Sequence, residues 1–317
     1  QHLAFLAPEE ICPLALTMVD TEPGASAACP RRFAFAFPMA SGHLNPSLPI
    51  ARRLVHLGHQ VHYLCSEQMR AAIEDTGATF HSDVEAQPEL YDGRTPGLVG
   101  AIDDLKREHG IEDASLMVAL AKLREVMLEM ALPGVLRWLR KLEASVVVFC
   151  PVLNAEAGIA AKLLRIPCVS ILTLAGPGSL AKTYAELLGL EGLRPEDMVE
   201  MRRSYKPLHE CLERVKAEYG VTLSITDYYR PLGVCEAMAS SDLVLVTTCK
   251  ALQDPTPPAL AKAYEDAKVR FEFVGPLLDC AGARRAAGHR YRADERRSDA
   301  AERRGPPGPG GGGGGGE

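Results

Sequence analysis

A chain of 317 residues, 47% of them hydrophobic, can bury one large core or two small ones. Its net charge of −6, its 6% aromatic content and the lack of basic clusters among aromatics exclude a nucleic-acid surface. The longest apolar runs, such as SVVVFCPVL, fall far short of the roughly 20 residues that cross a bilayer, so no membrane span is expected.

Residues 1–31 carry Pro, Ala and Gly without a sustained period and read as a loose leader. A rhythm begins at Phe33. FAFAF is a strand, residues 47–57 a helix and QVHYLC a strand. SEQMRAAIEDTG is a helix opened by Ser66 and closed by Gly77, and TFH is a short strand. After a variable stretch, a long helical pattern covers about 115–142. SVVVFC is a strand, AEAGIAAKLL a helix and PCVSIL a strand. Residues 179–220 are largely helical with a break near Pro195, and DLVLVTT and VRFEFVG are the last two strands. Strands alternating with helices predict an α/β fold, a Rossmann-like parallel sheet of about seven strands with helices on both faces. The strands are apolar nearly throughout, as expected when both faces are covered.

The composition breaks after Asp279. Residues 280–317 hold eight Arg, no Lys, five acids and a terminal Pro/Gly run, and they are expected to form a disordered tail. The nine cysteines lie at 12, 29, 65, 150, 168, 211, 235, 249 and 280, with no C-x-x-C pair. That scatter and the odd count argue against disulfides or zinc and for a cytoplasmic setting.

The sharpest local feature is FAFPMASGHLNPSLPIARRL, residues 35–54, a strand, a loop and a helix. Asn45 is a suitable helix N-cap, Pro46 suits the first helical position, and Gly58 is a natural stop. Leu44, Leu48, Ala51 and Val55 share one face. His43 is then expected two residues ahead of the cap, at the carboxyl end of the first strand, where open α/β sheets bind ligands. The positive helix end favours a neutral imidazole, the form a general base requires. A loop histidine bonded to a backbone carbonyl is the plainer alternative.

The stretch SGHLNPSLPIARRLVHLGHQVHYLCSE resembles the opening of family 1 glycosyltransferases of the bacterial macrolide type, with its G-H-x-N-P-x-L pattern in register. SDLVLVTTCKALQ and FVGPLLD resemble that family's last N-terminal strands and exit to the linker, so the resemblance covers about residues 33–279. It implies the N-terminal half of a GT-B fold, with residues 32–279 as a Rossmann-like acceptor-binding domain. It implies transfer of a hexose from a UDP-sugar to a hydroxyl of a small lipophilic acceptor, with inversion, and His43 as the base. Gly42, Asn45, Gly176 and Gly178 are the expected substrate-binding neighbours. The UDP-sugar acts as co-substrate, and no metal or resident cofactor is implied.

Two departures stand out. The family's aspartate, which orients the histidine, aligns with Pro151, with Cys150 beside it; neither accepts an N–H as a carboxylate would. Glu156 lies nearby and reads as an exposed helix residue. Cys150 reads as a buried strand-end thiol with no adjacent base. The family's nucleotide-binding segments, Trp-x-Pro-Gln and His-x-Gly-x-x-Ser, are missing; Trp138 lies in a helical pattern. The chain is thus expected to be a fragment, a split subunit or the product of a misread gene end, inactive alone and engaging a UDP-sugar only when a C-terminal domain is supplied. One alternative is a non-catalytic small-molecule-binding domain. Another is an α/β enzyme holding a phosphorylated ligand at TLAGPGSL, residues 173–180, a loop that lacks the P-loop lysine. The histidines at 56, 59 and 62 lack the ligands to complete a metal site.

Overall fold

The seven apolar runs become seven parallel strands: β1 (Arg32–Ala36), β2 (Gln60–Cys65), β3 (Thr79–Ser82), β4 (Val146–Phe149), β5 (Cys168–Leu172), β6 (Leu243–Val246) and β7 (Phe271–Phe273). The computed structural model describes residues 30–225 and 235–277. The expected leader up to residue 29 and the expected tail from residue 280 lie outside them. The sheet order is β3-β2-β1-β4-β5-β6-β7. The chain therefore steps outward from β1 to β3, returns to β4 beside β1, and continues outward the other way. The direction reverses between β1 and β4, and the crevice outside the strand ends at such a reversal is where open α/β sheets bind ligands.

Strand alternation sorts side chains by size. Ala34 and Ala36 of β1 face the core that contains Leu132, Val135, Leu136 and Leu139 of the long helix Leu116–Leu142, together with Ala157, Ala160 and Ala161 of the helix Ala155–Leu163. Phe35 and Phe37 face the opposite core, with Leu44, Leu48, Ala51 and Ile73. In β1, small residues thus meet the pair of helices and large ones fill the other side, whereas in β4 Phe149 packs against the helix Ala155–Leu163 at Gly158. Each fully buried Leu or Phe there contributes about 1.5–3 kcal/mol. Helices lie on both faces, as the sequence predicts.

The long helix starts at Ser115, whose hydroxyl accepts a hydrogen bond from the Val118 amide at 3.3 Å. The predicted helical stretch beyond residue 179 is three helices, Ser179–Leu190, Pro195–Ser204 and Lys206–Tyr219. The variable stretch before the long helix holds an unforeseen helix, Leu98–Glu108, and two short turns, Asp83–Ala86 and Pro88–Tyr91. Among the described residues no helix is long and apolar enough to cross a membrane.

Arg202 is fully buried. Its guanidinium donates to both carboxylate oxygens of Glu125, at 3.0 and 2.8 Å, and to the carbonyl oxygens of Ala121 and Ile225. This pins the helix Pro195–Ser204 to the long helix.

Candidate active site

The helix after β1 begins earlier than the sequence suggests. A helical turn covers Ser41–Leu44, a tighter turn Asn45–Ser47, and the regular helix Leu48–His56 follows. Asn45 has helical dihedrals (φ −53°, ψ −39°) and is exposed, so it is not the cap. The chain enters the helical turn at Ala40, whose carbonyl accepts from the amides of His43 and Leu44. His43 is therefore inside the first turn rather than ahead of it. The expected apolar face does form: Leu44, Leu48 and Ala51 are buried. The expected stop also forms. Gly58 (φ +83°) bonds the Val55 carbonyl and His59 bonds that of Leu54, the paired closure that needs a left-handed residue.

Three neighbouring strand ends converge on His43. The residue itself follows β1, Cys150 follows β4 and Thr173 follows β5. The His43 Nδ1 atom lies 3.3 Å from Cys150 Sγ and 3.3 Å from Thr173 Oγ1. Burial pulls the imidazole below the ordinary histidine value. Burial pushes the Cys150 thiol up to about 12, so it is a neutral thiol at pH 7. Cys150 is buried as expected, but it does have a base beside it, namely His43. Among the described residues no carboxylate touches the ring; a hydroxyl and a thiol stand there instead.

The other expected site residues are spread more widely. Gly42 is exposed, with open space where a Cβ would stand. Gly176 and Gly178 lie in the loop between β5 and the helix Ser179–Leu190, pressed against residues 253–256. A Cβ on Gly176 (φ +97°) would come within 2.8 Å of the Gln253 Cβ, and one on Gly178 within 2.4 Å of the Pro255 carbonyl oxygen. The glycine loop thus packs against its own chain at the places where a phosphate cradle needs open backbone.

A cleft of some 1050 Å³, part of it open solvent, adjoins the same strand ends. It reaches the turn before His43 at Phe37, Pro38 and Met39, and the turn after Cys150 at Val152, Leu153 and Asn154. Its far wall is the long helix, through Leu120, Met127, Leu128 and Ala131. Apolar walls with a few polar groups are the usual make-up of a small-molecule site. The polar groups here include Asp83, Tyr91, Asn154 and Glu156. Glu156 corrects a sequence expectation: it is only 7% exposed, and burial pushes its carboxyl up to about 7. It sits in the first turn of the helix Ala155–Leu163 and accepts from Asn154 Nδ2 at 3.1 Å. Thr173 and Asp83 were not singled out from sequence. Thr173 opens the glycine loop that was, so its place at a strand end was the available signal. Asp83 gave none, because its position depends on how 83–91 folds against the long helix.

His62 bonds His81 of the next strand at 3.1 Å rather than joining His56 and His59, and no group of three or more metal-ligating side chains occurs among the described residues.

No protein-family model matches the chain, and no curated protein does. Solved structures do. The calicheamicin glycosyltransferase CalG4 superposes with a TM-score of 0.50 at 17% identity, over 78% of this chain and 53% of that one. The glycotransferase of kitacinnamycin gives a TM-score of 0.49 at 21% identity, over 78% of this chain and 52% of that one. A UDP-glucosyltransferase from Polygonum tinctorium gives 0.46 at 15% identity, over 80% and 53%. The chain spans about half the length of these structures. The class that the sheet order and the likeness to CalG4 define is the Rossmann-like N-terminal half of a GT-B fold.

Proposed function

We propose that the chain is the acceptor-binding half of a glycosyltransferase that moves a hexose from a UDP-sugar to a hydroxyl of a small lipophilic acceptor with inversion. The observation that carries this reading is the placement of His43 at the β1/β4 reversal, beside an apolar cleft, with its Nδ1 engaged and no described residue on Nε2. Thr173 Oγ1 is a better acceptor than a thiol, so it holds the Nδ1 proton and leaves the Nε2 lone pair for the acceptor hydroxyl. His43 takes the hydroxyl proton on Nε2, the acceptor oxygen bonds to the anomeric carbon from the face opposite the leaving group, and UDP departs with the electron pair of the broken C–O bond. The imidazolium formed has a hydroxyl rather than a carboxylate behind it, so it is stabilised less than in a histidine–aspartate pair. The held position of the acceptor then carries more of the catalysis.

The test is calorimetric binding of 2-naphthol, an apolar hydroxyl compound, to the 317-residue chain and to Leu128→Trp, which fills the cleft. Binding by the parent chain and its loss in the variant support the reading. Equal binding by both, or none by the parent, contradicts it.

A further inference from the structure

The turn that carries His43 has little of its own to hold it in place. Met39, Ala40, Ser41 and Gly42 are exposed, no side chain caps the turn at Ala40, and space is open beside Gly42. Pro46 brings no amide hydrogen to the carbonyl of Gly42, four residues back, so the join between this turn and the helix Leu48–His56 misses a rung. The chain reaches the core again at Leu44 and Ser47, both fully buried. Leu44 is the next residue after His43, so whatever fixes Leu44 fixes the height of the ring.

A buried polar chain does this. The Ser47 hydroxyl donates to the Leu44 carbonyl at 2.7 Å. A carbonyl only accepts, so that bond uses the one hydrogen of the serine. The second contact of Ser47 Oγ, 2.8 Å from Tyr63 Oη, therefore runs from the phenol to the serine. Burial pushes the Tyr63 phenol well above its ordinary value, so it keeps the hydrogen it donates. Tyr63 stands on β2 with its ring centroid 4.8 Å from that of Phe35 and 6.2 Å from that of Phe37. Plain phenyl rings fill these neighbouring places, so packing alone does not call for a hydroxyl at Tyr63; the bond to Ser47 does.

The ring needs such a hold. Its contacts with Cys150 Sγ and Thr173 Oγ1 are both 3.3 Å. The Nδ1–Oγ1 distance is at the long end of hydrogen bonding, and a further shift of about 0.3 Å would end that bond. Resting on the reading of His43 as the base, we infer that Ser47 and Tyr63 are positioning residues for it. They hold the Leu44 carbonyl, and with it the turn, where Nδ1 lies against Thr173 and Nε2 stays bare.

Nitrogen NMR of the imidazoles in the full chain at pH 8 tests this, because the shifts of Nδ1 and Nε2 report which of them carries the hydrogen. Ser47→Ala removes the bridging hydroxyl, and Tyr63→Phe removes only the phenol oxygen. In the parent chain the His43 hydrogen lies on Nδ1. Each variant lowers the ratio of the Nδ1–H to the Nε2–H form at His43, by about threefold or more in Ser47→Ala, as the loss of one hydrogen bond to the ring requires. The signals of His62, His81 and His109 stay where they are. If one variant fails to fold, the other decides. An unchanged His43 ratio overturns the inference and leaves the base reading standing. A shift shared by all four histidines overturns it as well, and so does the failure of both variants to fold, because the network then serves the fold rather than the ring. A parent chain with its His43 hydrogen on Nε2 overturns the base reading, and the inference falls with it.

Discussion

His43 and Cys150, 107 residues apart in sequence, meet with Sγ 3.3 Å from Nδ1, because β1 and β4 are neighbours at the point where the sheet reverses direction. The thiol is held neutral and the ring is held below its ordinary proton affinity, so neither charges the other. Thr173 completes the contact from the next strand. The ring is thus set by burial and by neutral partners.

The first prediction concerns that poise. The His43 ring titrates below 6.5 in the parent chain, and Thr173→Asp, which places a carboxylate against Nδ1, raises it. Two-dimensional NMR of the imidazole across pH 4–8 reads both values. A Thr173→Asp chain with an unchanged His43 titration would mean that the ring does not face residue 173.

Histidine burial also sets acid stability. His43, His62, His81 and His109 all sit below 6.5, in each case chiefly through burial. The unfolded chain therefore binds more protons between those folded values and 6.5. Stability from these groups is complete above pH 6.5 and is lost as pH falls through the folded values. His81→Asn should therefore raise the melting midpoint at pH 5 relative to that at pH 7, compared with the parent chain, because it removes one of the groups whose stability acid takes away.

Glu156 acts with the opposite sign. Its folded value, about 7, lies above its ordinary 4.5, so its contribution is complete below pH 4.5 and is lost as pH rises through 7. At about 1.4 kcal/mol per tenfold change in proton affinity, the loss approaches roughly 3 kcal/mol at pH 8. Denaturant titration should find Glu156→Gln more stable than the parent at pH 8 and nearly equal to it at pH 4.5. A destabilised variant at pH 8 would show that the ionised carboxylate is stabilised in the fold after all.

The pair Arg202–Glu125 supports the wall opposite the strand ends. Burial opposes the Glu125 charge, but Arg124 and Arg202 outweigh it and hold the carboxyl below its ordinary value. Arg202→Ala leaves the buried Glu125 carboxylate with Arg124 as its remaining cationic partner and should cost about 3 kcal/mol by denaturant titration. Replacing both partners, as Glu125→Leu with Arg202→Met, should recover only part of the loss, because Arg124, which also pairs with Glu125, then loses its carboxylate.

Particular residues show how far the sequence could be read. The strands were legible because buried parallel strands are apolar on both faces; FAFAF and SVVVFC carry that pattern openly. Leu44, Leu48 and Ala51 gave the buried face of the first helix correctly. Asn45-Pro46 misled about its start, because a tight helical turn at Ser41–Leu44 needs no side-chain cap and leaves no local signature. Glu156 was misread because charge in a helix usually means exposure; only the packing of 83–91 and the long helix around it creates a buried carboxyl. The partners of His43 lie 107 and 130 residues away, set by strand order, which local sequence does not encode.

The central claim is that His43 abstracts the acceptor proton once a nucleotide-binding half completes the cleft. The direct measurement joins this chain to the nucleotide-binding half of a UDP-glucose-dependent GT-B enzyme and compares UDP-glucose-dependent glucosylation of 2-naphthol by the fusion and by its His43→Ala variant. The account predicts a rate lower by about 10²–10⁴-fold in the variant, with 2-naphthol affinity little changed. Equal rates in the two fusions would contradict it.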